Sequence, residues 1–565
     1  MRKTWTLGAT GAALAAMLAA GGCYDFDKAT EQCIQDGRCE PEGVTPDAGD
    51  AGDAGDAGDA GFDAGCTPVP GVDLPDDAFA DTDCDGVDGQ ADAGLYVDPA
   101  NGSDQGAGTR ASPLRTLGHA LDLLRAADGG GATRLYLAGG AYDEAGLELD
   151  LPVSLHGGYV RGTGDTWARA QASAARLNGG KVGLTVRGLT DAGIVLEYVH
   201  VSSTDGVQPG EPSIALRMLN ASGVALRHVT LEAGLGASGG DGGSGTAGSG
   251  GREGGGGASA TTTTTGEGGQ VQPTLCGSSD RSGGPGGDGA FGRKDGNPGA
   301  MGQPDAGGGK GGTAGTFGAN CAATLRCNCN GFPGDEGSPG VPGADGPFGP
   351  PGGGRGELDV TGGTWRPNQS GGPGDDGLPG EGGGGGGSGG TCVGTTRTVA
   401  ASGAGGGGGG GGCGGTSGGG GSGGGASIAL LLINSQVAVG AGSELRTRGG
   451  GPGGAGGPGG AGGGGGNGGG GGDGGVYDVQ EVPVLYSTTG GKGGTGGRGG
   501  DGGTGGPGGG GGGGPSVGVW CGPQAQVTQE QGGVTYTLAN GGAGGFSTGN
   551  RGTEGERRET VDCTP

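Results

Sequence analysis

Residues Asp81 to Asp92 read DTDCDGVDGQAD, the stretch of this chain best suited to chemistry. Asp81, Asp83 and Asp85 alternate along it and Gly86 follows. That spacing lets the carboxylates of a turning chain converge on a hard cation, while glycine permits the sharp bend. Asp88 lies within the loop and Asp92 closes it, so these five carboxylates are candidate Ca2+ ligands. An acidic turn that holds no metal has the same composition.

The loop resembles the DxDxDG loops of EF-hands, dockerins and thrombospondin type 3 repeats over these residues alone. Asp92 stands where an EF-hand has Glu, and no helical pattern flanks it. The other residues with chemistry are the 13 cysteines. Setting Cys23 aside leaves Cys33, Cys39, Cys66, Cys84, Cys276, Cys321, Cys327, Cys329, Cys392, Cys413, Cys521 and Cys563. This even set is expected to form disulfides in an oxidising compartment, stabilising a chain with little core. Cys327 and Cys329 are poorly spaced to bond each other, so each should reach elsewhere. Zinc is the alternative for that CNC stretch, but no Cys-x-x-Cys stands nearby.

General bases are few. The chain has 4 histidines, His119, His156, His200 and His228, of which the last three fall in strand-like runs where a solvent-facing position is the simplest expectation. Asp143, Glu144, Arg217 and Arg227 are not singled out by position. Glycine-rich phosphate motifs mean nothing in so glycine-rich a chain, and no Lys-Ser/Thr follows at P-loop spacing. No catalytic residue is named, and no enzymatic activity is expected.

The elements that must position these groups begin with a targeting segment. Arg2 and Lys3 precede the apolar run Leu7 to Ala20, which is too short to span a bilayer. It ends in LAAGGC, which resembles a bacterial lipobox and implies acylation of Cys23, a membrane anchor and placement on the outer membrane or cell surface. Ordinary signal-peptidase cleavage near Gly22 is the alternative. Next comes PDAGDAGDAGDAGDAGFDAG, Pro46 to Gly65, with no apolar face and an Asp at nearly every third residue. Residues 23–94 are therefore expected to form an acidic, solvated tether that includes the calcium loop.

Leu95 to Glu144 is foldable. Its YVD strand (Tyr96–Asp98), GSD and GT loop (Gly102–Asp104, Gly108, Thr109) and SPLRTL run (Ser112–Leu117) resemble the opening of pectate-lyase-like right-handed β-helices. The resemblance implies that the following helix covers one end of a solenoid. Leu117, Ala120, Leu121 and Leu124 share one helical face, with Thr116 as N-cap. Leu184 and Val186, Ile194 and Leu196, Val199 and Val201, Ile214 and Leu216, and Val224 and Leu226 each predict a short strand. The motif PSIALRMLN (Pro212–Asn220) returns as ASIALLLIN (Ala426–Asn434) and PSVGVWCG (Pro515–Gly522), and ELDVTGGTW and GVTYTLANGG read as further strands. The expected fold class is all-β: a right-handed parallel β-helix with an N-terminal cap helix, interrupted by glycine-rich arrays. Its parts are a signal peptide (1–22), the tether (23–94), the cap and first rungs (95–233), arrays with interspersed rungs (234–515) and C-terminal rungs (516–565).

Composition limits the rest. Of 565 residues 170 are Gly and 30 are Pro, a level at which aperiodic chains are usually disordered. The arrays are not aperiodic. In Gly450–Gly475 the only non-glycines, Pro452, Ala455, Pro458, Ala461, Asn467 and Asp473, share one phase of a three-residue repeat. Lys492, Thr495, Arg498, Asp501, Thr504 and Pro507 do the same. At three residues per turn, that phase is one face of a polyproline II helix, and the bare faces can bond laterally as a polyglycine II bundle. Disorder is the competing reading, and a collagen triple helix is a third for Gly331–Gly352. The repeat style resembles the glycine-rich arrays of the mycobacterial PE-PGRS family and of glycine-rich antifreeze proteins, without a PE-type domain. The net charge of −28 excludes nucleic acid as a partner. The function expected is a structural or adhesive surface lipoprotein whose partners are the membrane, surface polysaccharide or other envelope proteins. Polysaccharide binding or cleavage is the first alternative. Ice or mineral binding through Thr495 and Thr504 is the second.

Overall fold

The structure is a computed structural model, and it describes residues 66–563 apart from 128–130, 173, 319–325, 368–369, 394–398, 482–483 and 531–532. Cys23, Cys33, Cys39, Cys321, the tether to Gly65 and the side chain of Cys327 lie outside the described residues.

Period-two runs of branched residues make short strands, and each rung sends one strand to each of three sheets. Val182–Arg187, Ile194–Glu197 and Val199–Ser202 are followed by Ser213–Leu219, Val224–Arg227 and Thr230–Ala233, laid on them in parallel. The cycle resumes with Ser427–Ile433, Gln436–Val439 and Ser443–Thr447, then with Ser516–Cys521, Gln526–Gln529 and Val534–Leu538, and Arg557–Val561 follows. The chain is therefore all-β in the main, with parallel sheets. We call the sheet of Ile194–Glu197 the first, that of Val199–Ser202 the second and that of Val182–Arg187 the third.

The three related motifs turn out to be neighbours in space. Ser213, Ser427 and Ser516 are in register, as are Ile214, Ile428 and Val517. Each serine is buried at the corner where the chain passes from second to third sheet. Ser213 bonds the Ser203 hydroxyl at 2.8 Å, Ser427 the Gly234 carbonyl at 2.7 Å, and Ser516 the Thr447 hydroxyl at 2.7 Å. At the other end of the motif, Asn220 and Asn434 take left-handed φ of 51° and 48° and stack through a 3.1 Å amide bond. One core runs through the rungs, including Leu184, Leu216, Leu430, Leu196, Leu226, Val201 and Leu231. Helix α1 (Leu117–Ala126) buries Leu117, Ala120, Leu121 and Leu124 in the same core, with the Thr116 hydroxyl accepting from the His119 N–H.

Glu357–Asp359 and Thr364–Arg366 correct one expectation. They form an antiparallel hairpin outside the three sheets, because the Gly362–Gly363 turn is too tight to carry the chain to another sheet. Trp365 packs 6.5 Å from Trp520 instead.

The arrays leave the rungs between second-sheet and third-sheet strands, at residues 234–426, 448–515 and 539–556, so all emerge from the same corner. Their amides bond from chain to chain at every third residue. Gly239, Gly242, Gly245 and Gly248 donate to Pro452, Ala455, Pro458 and Ala461, each at 2.8 Å. Successive residues of the central tract donate in different directions, Gly406 to Gly494, Gly407 to Gly255 and Gly408 to Gly284. The same tract accepts from Gly269, Gly386 and Gly469. Gly403–Gly412 is accordingly buried throughout, whereas Pro452, Pro458, Ala461, Asn467 and Asp473 are exposed, as are Lys492, Thr495, Arg498, Asp501 and Thr504. Gly331–Gly352 is not a triple-helical strand. It lies along the 490–514 tract, from Gly334 on Lys492 to Gly352 on Gly510.

The number of glycines per triplet therefore follows the number of neighbouring chains. A Cβ on Gly408 would sit 2.0 Å from the Gly383 oxygen, and one on Gly409 1.9 Å from the Gly466 oxygen. In the outer tracts 452–473 and 492–504, side chains occur in the phase that meets no neighbouring chain.

Candidate functional site

Residues 66–94, expected to belong to the solvated tether, instead pack onto the first sheet. Tyrosines of the first sheet hold this strap by its backbone. Tyr159 donates to the Asp88 carbonyl at 2.6 Å and Tyr136 to that of Gln90 at 2.7 Å. The Cys66–Cys84 disulfide closes it.

Within the strap, Asp81 and Asp83 approach Asp73, with carboxylate oxygens within 4.8 Å of one another. Sequence reasoning missed Asp73, which no spacing signals; it is buried against the Thr82 hydroxyl at 2.6 Å and the Gly89 N–H at 2.8 Å. The rest of the candidate set turns elsewhere. Asp85 accepts from the N–H of Val87 and of Ala91, each at 3.0 Å. Asp88 is buried and pairs with Arg169 at 3.2 Å, and Asp92 is exposed in a short turn. Burial raises the Asp83 carboxyl and Asp85 adds to the effect; burial likewise raises Asp85. Three crowded carboxylates with oxygen donors suit a hard cation such as Ca2+.

Beneath the strap lies an enclosed ionic cluster. Arg169, with no exposed side-chain surface, pairs with Glu197 and Asp88 and donates from Nε to the Gly157 carbonyl at 2.9 Å. Its guanidinium lies 4.8 Å from the Tyr198 ring, 5.4 Å from Tyr159 and 5.7 Å from Phe79. His156 is buried, not solvent-facing, and meets Glu197 at 2.8 Å. Burial pushes the His156 pKa down, against the pull of Glu197. Burial would raise Glu197, but His156 and Arg169 outweigh it and hold its carboxyl low. Burial pushes Asp88 up to about 6, with Arg169 opposing. A buried, paired network of this kind fixes geometry more than it adds stability.

The outer face of the second sheet is open to solvent. Asp143, Asn178, Ser202, Glu232, Arg446 and Thr537 stand in register across six strands, one per rung. Asn178 donates to Asp143 at 2.7 Å and Ser202 to Asn178 at 2.9 Å. A parallel row holds Arg176, His200, Thr230, Glu444 and Thr535. His200 lies 3.4 Å from Glu232, and Arg446, by bonding Glu444, holds that carboxyl low. Strands about 4.8 Å apart space these donors and acceptors evenly into a polar ribbon.

Among the described residues eight of the candidate cysteines pair: Cys66 with Cys84, Cys276 with Cys413, Cys329 with Cys392 and Cys521 with Cys563. Asp143 belongs to the ribbon, while Glu144 caps α1 by accepting from the N–H of Leu117 and Gly118 at 2.8 Å.

The class these observations define is an all-β protein of parallel sheets with a strap and lateral arrays. No family model and no curated protein matches the chain. Over 25% of its length it is similar to a pectin methylesterase from Aspergillus niger, at 18% identity, 42% coverage of that chain and a TM-score of 0.16. Over 25% it is also similar to a GH136 lacto-N-biosidase from Eubacterium ramulus, at 12% identity, 27% coverage and a TM-score of 0.15. The chain thus spans less than half of either neighbour, and likeness at this level carries no functional argument.

Proposed function

We propose that this chain is a surface lipoprotein, anchored through Cys23, whose right-handed β-helix is closed at its first rungs by α1 and carries a polyglycine II bundle. The role is structural or adhesive, the bundle serving as a stiff body held off the membrane by the acidic tether. The observation that supports it is the three-residue rhythm of amide bonds between arrays, which builds rigidity from backbone alone. The disulfides suit an oxidising envelope. On intact cells the arrays should be reached by antibody, and Cys23→Ser should release the protein to the medium. Cells lacking the protein should adhere less to their surface or to one another. Normal adhesion in such cells would remove the adhesive role.

One observation favours a second reading. The polar ribbon on the second sheet offers evenly spaced donors and acceptors to an extended polyhydroxylated chain, so we also propose polysaccharide binding there. Retardation on polysaccharide-containing gels, lost in a Glu232→Ala, Arg446→Ala variant, is the expected result. For Asp73, Asp81 and Asp83 we propose Ca2+ as the bound ion.

A further inference from the structure

Every chain in the bundle is a template for another, since a bare glycine face bonds whatever glycine chain arrives. Within this molecule that templating occurs and then stops. The 540–556 hairpin lies over the last part of the 490–514 tract, where Gly542 donates to Gly514 at 2.8 Å and Gly545 to Gly511 at 2.7 Å. Under the hairpin the sequence is glycine alone, Gly508–Gly514. Where the hairpin ends, side chains begin in the covered phase: Pro507, Thr504, Asp501, Arg498, Thr495 and Lys492.

Some of the outward amides on this side are withdrawn as well. Pro452, Pro458 and Pro507 have no N–H to offer. Asp241 accepts from Ala455 at 2.7 Å, Asp501 from Gly465 at 2.8 Å, Asp345 from Thr504 at 2.7 Å and Ser259 from Asp473 at 3.0 Å. On another face Asp376 does the same for Ser417 at 2.7 Å. Lys492 lies 3.3 Å from Asp473 across two adjacent chains.

We propose that the outward side chains are a guard that stops the bundle from adding chains of a second copy, and so keeps lateral assembly from running on. The inference rests on the polyglycine II reading. It goes beyond it by giving the non-glycine phase a role against self-association, the lattice counterpart of edge protection in β-sheets.

The test is a variant carrying Thr495→Gly, Arg498→Gly, Asp501→Gly and Thr504→Gly. Glycine already occupies the outward phase at Gly464 and Gly470, so the substituted chain fits the lattice. Light scattering over a concentration series should show the parent at constant mass and the variant rising by about twofold or more. Amide exchange of the arrays, measured on both, separates the two ideas. Random-coil exchange in the parent would remove the bundle itself. A protected variant that keeps the parent's mass, a parent that already assembles laterally, or a variant that loses protection would each overturn the guard. The last outcome would mean that these side chains hold the fold. Pro452→Gly with Pro458→Gly, on the adjacent chain, should give the same rise in mass and supplies an independent reading.

Discussion

Gly510 and Arg498 occupy the same phase of one chain, yet only Arg498 has room for a side chain. A Cβ on Gly510 would lie 2.0 Å from the Gly545 oxygen and 2.8 Å from the Gly552 nitrogen, whereas Arg498 faces solvent. Gly510→Thr should therefore displace the 540–556 hairpin and cost about 3 kcal/mol, by the overpacking of a site without slack. Arg498→Ala should change stability by less than about 0.5 kcal/mol. Urea unfolding of both variants checks the pair, and equal effects would refute the link between phase and neighbour.

The Cys276–Cys413 bridge closes a sequence separation of 137 residues and pins the central tract. Replacing both cysteines with serine should lower stability by about 4 kcal/mol, chiefly by freeing the unfolded chain. The thermal midpoint of the double variant is the measurement.

His156 supplies a pH dependence. Its pKa is lowered in the fold by burial, so the unfolded chain holds the proton more tightly. Its contribution to stability is present above the unfolded value of about 6.5 and is lost as pH falls through the lowered one. Asp88 has the opposite sign: its raised pKa, about 6, favours the fold below the unfolded value and loses that contribution as pH rises through 6. Comparing the parent with His156→Gln from pH 7.5 to 5 cancels the Asp88 part. The variant should show the shallower acid decline.

Ca2+ should raise the thermal midpoint of the parent and leave Asp73→Asn unaffected. Calorimetric titration gives the same comparison as heat of binding. Heat of binding unchanged by Asp73→Asn but abolished by Asp92→Asn would restore the ligand set that the loop spacing alone suggests.

Much of the fold was legible because it depends on period. Alternation at Leu184 and Val186 gave strands, the helical spacing of Leu117, Ala120, Leu121 and Leu124 gave α1, and the recurring Ser-aliphatic motif proved to be neighbouring parallel strands of one sheet. What was not legible depends on chain folding at a distance. Asp73 reaches Asp81 and Asp83 only because the strap doubles back, and Arg169 meets Glu197 only across two strands. The partner of each cysteine was equally hidden, since spacing does not record which tracts adjoin. The all-glycine stretches looked least informative, yet they mark the most enclosed chains, such as Gly405–Gly412. Their meaning appears only beside their neighbours.

The three-residue rhythm also constrains how such a chain can change. Adding or removing one residue in the 403–425 tract would turn everything after it by a third of a revolution, driving Cys413 or Thr416 into directions that neighbouring backbones already fill. Whole triplets can come and go, because each restores the same orientation. The arrays thus possess a reading frame enforced by packing, and length variation in related chains should fall in multiples of three.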